Sequence, residues 1–83
     1  MKLRQGVALT ATEYGAVLLD ERSGAYWQLN ECGAVVVDAL AGGGGREAAV
    51  ERLLEEFDVG RAEAEADVAE LIGRLLDAEI VTP

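Results

Sequence analysis

The chain has 83 residues, seven Lys or Arg against sixteen Asp or Glu, a formal net charge of −9 and no histidine. Its length predicts one domain, 1–83, and a hydrophobic content of 51% marks a globular chain rather than a disordered one. Without histidine, Cys/His pairs, Ser/His/Asp triads and the usual zinc sites are excluded, and the single cysteine, Cys32, has no internal disulfide partner.

The first six residues carry Lys2 and Arg4 with no apolar signal core behind them. No apolar run approaches the roughly 20 residues that cross a bilayer. Both features predict a cytoplasmic protein without a membrane partner. Val7, Leu9 and Ala11 alternate with Ala8, Thr10 and Thr12, which reads as a first strand. Glu13, Tyr14 and Gly15 supply a turn, and Ala16, Val17, Leu18 and Leu19 a short apolar second strand. Asp20 to Gly24 is the hairpin loop, with Gly24 where such loops take a left-handed residue. Ala25, Tyr26, Trp27, Gln28 and Leu29 form the third strand, so the sheet spans about 6–29. Ala25, Trp27 and Leu29 share one face, Tyr26 and Gln28 the other. Trp27 and Leu29 read as core. No strand periodicity clearly follows, so the third strand lies at an edge with unpaired backbone groups.

Asn30 is suited to cap a helix by accepting the Gly33 N–H, and Glu31 suits the positive end of the dipole. The first helix covers about 31–41 and buries Val36, Val37 and Leu40. Four glycines, 42–45, end it; no strand precedes them and no Gly-Lys-Ser/Thr follows, which argues against a phosphate loop. The second helix covers about 46–57, with Ala49, Val50, Leu53, Leu54 and Phe57 as its core stripe. The third covers about 61–78 and buries Val68, Leu71, Ile72, Leu75 and Leu76, after which Ile80 and Val81 fold back onto the core. The expected fold is α+β, a three-stranded antiparallel sheet followed by a three-helix bundle of winged-helix character. Cys32, in the first helical turn without a basic neighbour in sequence, reads as a packed thiol.

One flank of the third helix carries Asp67, Leu71, Arg74 and Ala78, the other Ala62, Ala66, Ala69 and Gly73. The residues alone do not say which flank lines a groove beside the third strand. Glu70 and Arg74 stand at i, i+4, so an internal ion pair and a contact to a partner are both open. A winged-helix DNA-binding regulator is the alternative function. It needs a basic last helix to neutralise phosphates. This helix instead carries Glu63, Glu65, Asp67, Glu70 and Asp77 against Arg61 and Arg74, so no nucleic-acid partner is expected. A carrier protein needs a serine at a helix N-terminus, and Ser23, the only serine, lies in the hairpin loop. No catalytic constellation, metal site or cofactor motif is evident.

Leu18-Leu19-Asp20, Ser23-Gly24, Tyr26-Trp27-Gln28-Leu29-Asn30 leading into Gly33, Leu40 before the glycines, and Asp67-Val68 with Leu71 and Leu75 resemble the PqqD-like proteins. That family is named for pyrroloquinoline quinone biosynthesis protein D. The resemblance covers nearly the whole chain and is nearest to the stand-alone members in lasso peptide clusters. Gly60 departs from it, since a Ser- or Asp-type cap before the last helix is more usual. The resemblance implies a non-catalytic, cofactor-free recognition element for ribosomally made, post-translationally modified peptides. Such an element takes the leader segment of a precursor peptide as a further strand on the third strand, beside the last helix. It then delivers the precursor to a separate leader peptidase, with a cyclase acting afterwards. The resemblance favours the Asp67 flank. The implied peptide-binding residues are Ala25, Tyr26, Trp27, Gln28, Leu29, Asp67, Glu70, Leu71 and Arg74, with Leu71 as apolar wall and Asp67 and Glu70 facing basic leader residues. Five added backbone bonds at about 0.5–1.5 kcal/mol each fall short of the roughly 8 kcal/mol of a micromolar complex, so apolar pockets must supply the rest.

Overall fold

A computed structural model describes residues 1–82 of the protein. The elements are β1 (Lys2–Leu3), β2 (Val7–Thr12), β3 (Gly15–Asp20), β4 (Tyr26–Leu29), α1 (Glu31–Ala41), α2 (Arg46–Glu56), α3 (Arg61–Asp77) and β5 (Val81–Thr82). β2, β3 and β4 form an antiparallel sheet in that order, so β4 is an edge strand. With the three helices that follow, this is the expected α+β fold. The sequence missed a second sheet, in which Lys2 pairs with Thr82 and Leu3 with Val81. Strands of two residues carry no periodicity, and the contact joins the two ends of the chain. Among the described residues no helix is long and apolar enough to cross a membrane.

Local chemistry sets the joints. Asn30 Oδ1 accepts the Gly33 N–H at 2.8 Å and starts α1. Gly24 takes φ 79° in the β3–β4 hairpin. Gly15 takes φ 150° where β3 begins, and a Cβ there would collide with the Leu29 carbonyl oxygen, so β4 lies as close as it does because residue 15 has no side chain. Gly60 caps α3 without a side-chain bond. The helix start is held by Arg61 instead, which pairs with Glu51 at 2.6 Å, Glu47 at 3.5 Å and Glu65 at 3.8 Å.

The core joins Leu18 of the sheet to Val36, Val37 and Leu40 of α1, Ala49, Val50 and Leu53 of α2, and Ala64, Val68, Ile72 and Leu75 of α3. Ile80 and Val81 fold back into it as expected. Leu54, Phe57, Leu71 and Leu76 correct the expectation: they are half-buried against this core rather than inside it. α2 also stops at Glu56, because Phe57 is extended at φ −133° and ψ 154°.

Arg4 ties the chain ends to the hairpin. Its guanidinium pairs with Asp20 Oδ2 at 2.8 Å and donates to the Glu79 carbonyl, while its N–H donates to the Ile80 carbonyl at 2.7 Å. Asp20 is the one buried charged residue among those described, and it also accepts from the Arg22 N–H and the Ser23 hydroxyl. Burial works against its charge, but these hydrogen bonds and the Arg4 guanidinium outweigh it and hold the carboxyl below its ordinary value.

Candidate functional site

The phase of the sheet's hydrogen bonds decides which backbone groups of β4 are free. The Asp20 N–H donates to the Ala25 carbonyl at 2.8 Å. Antiparallel pairs alternate between bonded and non-bonded, so Trp27 opposite Leu18 and Leu29 opposite Ala16 bond inward to β3. Tyr26 and Gln28 therefore turn their N–H and C=O groups outward, giving two donors and two acceptors along the edge. Ala25 lies outside the strand, with its carbonyl bonded to Asp20 and its N–H to Ser23 Oγ at 3.2 Å. The expectation of five available bonds thus becomes four.

Beside this edge is a cleft of about 320 Å³ between the end of β4, the start of α1 and the Asp67 flank of α3. Val36, Leu53 and Leu71 supply apolar lining, and Gln28, Leu29, Asn30, Cys32 and Gly33 form the strand side. Asp67, Glu70 and Arg74 are exposed along α3 and line the same cleft. Among the described residues none of the three has an ion-pair partner within 4.0 Å, so Glu70 and Arg74 are not paired with each other as their spacing allowed. Three other arginines, Arg4, Arg52 and Arg61, are ion-paired.

Of the residues expected to bind peptide, the structure gathers Gln28, Leu29, Asp67, Glu70, Leu71 and Arg74 around this cleft. It leaves Ala25, Tyr26 and Trp27 off its lining. Tyr26 is exposed on the outer face of the sheet, opposite Leu19. Trp27 and Leu29 face the core as expected but are half-buried against it rather than inside it. The sequence did not assign Cys32, Gly33, Val36 and Leu53 to the cleft. Val36 and Leu53 read as core, and only the packing of α1 against α2 shows that they also border an opening. Burial, then the nearby carboxylates of Asp67, Glu31 and Glu63, push the Cys32 thiol above its ordinary value, which makes it a poor nucleophile. Among the described residues no group of three or more Cys, Asp or Glu could hold a metal ion.

Fold and cleft together define a small α+β domain with a bare sheet edge beside a charged helix flank. The family model for coenzyme PQQ synthesis protein D (PqqD) matches residues 15–81, and the chain belongs to that family. It is similar to a solved structure described as lasso peptide synthetase B1 complexed with the leader peptide, at 39% identity and a TM-score of 0.84, over 99% of this chain and 96% of that one. It is also similar to TbiB1 in complex with the TbiA(beta) leader peptide, at 26% identity and a TM-score of 0.85, over 96% of this chain and 93% of the other. No curated protein matches the sequence.

Proposed function

We propose that this protein is a recognition element of lasso peptide biosynthesis. It binds the leader segment of a ribosomally made precursor as a strand added to β4 beside α3, and delivers it to a separate leader peptidase without doing chemistry itself. The observation that carries this is the bare β4 edge opening into a cleft, in a chain 39% identical to a protein solved with a leader peptide. Strand addition draws affinity from main-chain bonds and specificity from pockets for alternate side chains. Four edge bonds at about 0.5–1.5 kcal/mol each give roughly 2–6 kcal/mol, below the 8 kcal/mol or so of a micromolar complex. The half-buried Leu29 and Leu71 offer the apolar contact that makes up the difference, over a floor formed by Val36 and Leu53.

The test is an amide NMR titration with leader peptides from precursor genes encoded beside this one. Expected are shifts at Tyr26 and Gln28 and along the Asp67 flank of α3. Flat spectra with every such leader would remove the recognition reading.

A further inference from the structure

The direction of α3 relative to β4 follows from contacts at its two ends. In its first half, Asp67 and Glu63 are the α3 carboxylates that stand close to Cys32, just past the end of β4. Past its end, Arg4 bonds both the Glu79 carbonyl and Asp20, and the Asp20 N–H bonds Ala25, just before β4 begins. α3 therefore runs antiparallel to β4. Along the cleft wall the charge changes sign, from Asp67 and Glu70 at the Leu29 end to Arg74 toward the Tyr26 end, with Leu71 between them.

Resting on the leader-binding reading, we propose that the cleft reads the order of charge along the leader. The leader lies antiparallel to β4, with a basic side chain against Asp67 and Glu70, then an apolar one over Leu71, then an acidic one against Arg74. Every pair in this sheet is antiparallel, and antiparallel pairing is the more stable per residue. An antiparallel guest runs parallel to α3, so its N-terminal side meets the acidic end. Side chains that turn toward α3 recur every second residue, about 7 Å apart. Two such steps span about 14 Å against a helix rise of about 10 Å from Asp67 to Arg74, a difference that the reach of the long Arg74 side chain covers. The expected pattern is basic-x-apolar-x-acidic, read from N to C. None of the three charges is satisfied by an internal ion pair among the described residues, so an incoming peptide breaks no salt bridge to reach them.

Two measurements use the full chain and the leader of the precursor encoded beside it. A nitroxide on the leader's N-terminal end is expected to broaden the amide signals of Leu29, Cys32 and Asp67; on its C-terminal end, those of Tyr26 and Arg74. The reverse pattern overturns the direction. In the second, Asp67→Asn, Glu70→Lys and Arg74→Glu together invert the order and shift the net charge by only +1. Affinity is expected to fall about tenfold, as exposed contacts turn from attractive to repulsive. A leader with its own two charges exchanged is expected to recover most of that loss. If the leader binds the inverted protein as it binds the parent, or lacks the pattern, the charge-order proposal fails while leader recognition stands. If the leader binds neither protein, recognition itself fails.

Discussion

The sheet has two edges, and they differ less in backbone than in what stands beside them. On β2 the Glu21 N–H donates to the Gly6 carbonyl at 2.9 Å, so by alternation Leu9 and Ala11 turn their N–H and C=O groups outward. With the outward Val7 carbonyl, whose own N–H bonds the Arg4 carbonyl at 3.1 Å, that is two donors and three acceptors, one acceptor more than Tyr26 and Gln28 offer on β4. The β2 edge also borders an opening of about 340 Å³, lined in part by Leu9, Ala11, Val35, Asp38 and Arg52. There Asp38 and Arg52 pair with each other at 2.8 Å, and Arg52 also holds Glu56 at 3.0 Å. Beside β4, Asp67, Glu70 and Arg74 have no such partner among the described residues. A bare edge alone does not choose a guest strand; in this protein the unpaired charges beside it distinguish one edge from the other.

The largest effect is expected where the sheet closes. Gly15→Ala places a methyl group against the Leu29 carbonyl at a φ that side chains avoid, and is expected to cost about 2–4 kcal/mol in urea unfolding. A loss under half a kcal/mol would show that β4 can retreat freely. Next, Gln28→Pro removes one outward donor from β4, while Ala11→Pro removes one from β2, and proline is tolerated on edge strands. Leader affinity is expected to drop about tenfold for the first and less than about twofold for the second. Equal effects would erase the distinction between the edges.

Smaller changes sharpen it. Leu71→Ala trims the half-buried cleft wall and is expected to weaken leader binding by about 1–2 kcal/mol while the domain stays folded. Tyr26→Ala, on the outer face, is expected to weaken it less; calorimetric titration ranks the two. Last comes acid stability. Asp20 titrates below its ordinary value in the folded chain, so its stabilisation is complete above that value and is lost as pH falls through the lowered one. Unfolding midpoints followed downward from about pH 5 are expected to fall more steeply in the parent than in Asp20→Asn. Parallel curves would show that the Arg4–Asp20 tie contributes nothing.

Much of this was legible because it is local. The Asn30 cap depends on a residue three positions on, and the burial of Val68, Ile72 and Leu75 follows from helical spacing on one element. The division of Trp27 from Tyr26 follows from the two-residue period of a strand. Leu54 and Phe57 were misjudged for the complementary reason. Spacing gives the face of a helix, but how deeply its margin sinks depends on the neighbouring helix. The β1–β5 pair, the cleft lining at Val36 and Leu53, and the Arg61 anchor all join residues distant in sequence.

The sequence by itself determined the order of elements, the absence of histidine chemistry, the acidic balance and an exposed third strand, since each is a matter of composition or short-range period. Only the tertiary structure decided that the Asp67 flank borders β4, that Tyr26 and Gln28 hold the free backbone groups, and that Asp67, Glu70 and Arg74 have no ion-pair partner among the described residues. The helix flank depends on how α3 packs across the core, and the free groups on the hydrogen-bond phase passed from the β3–β4 hairpin. Pairing depends on which charges packing brings within reach, and none of these is written in the spacing of one segment.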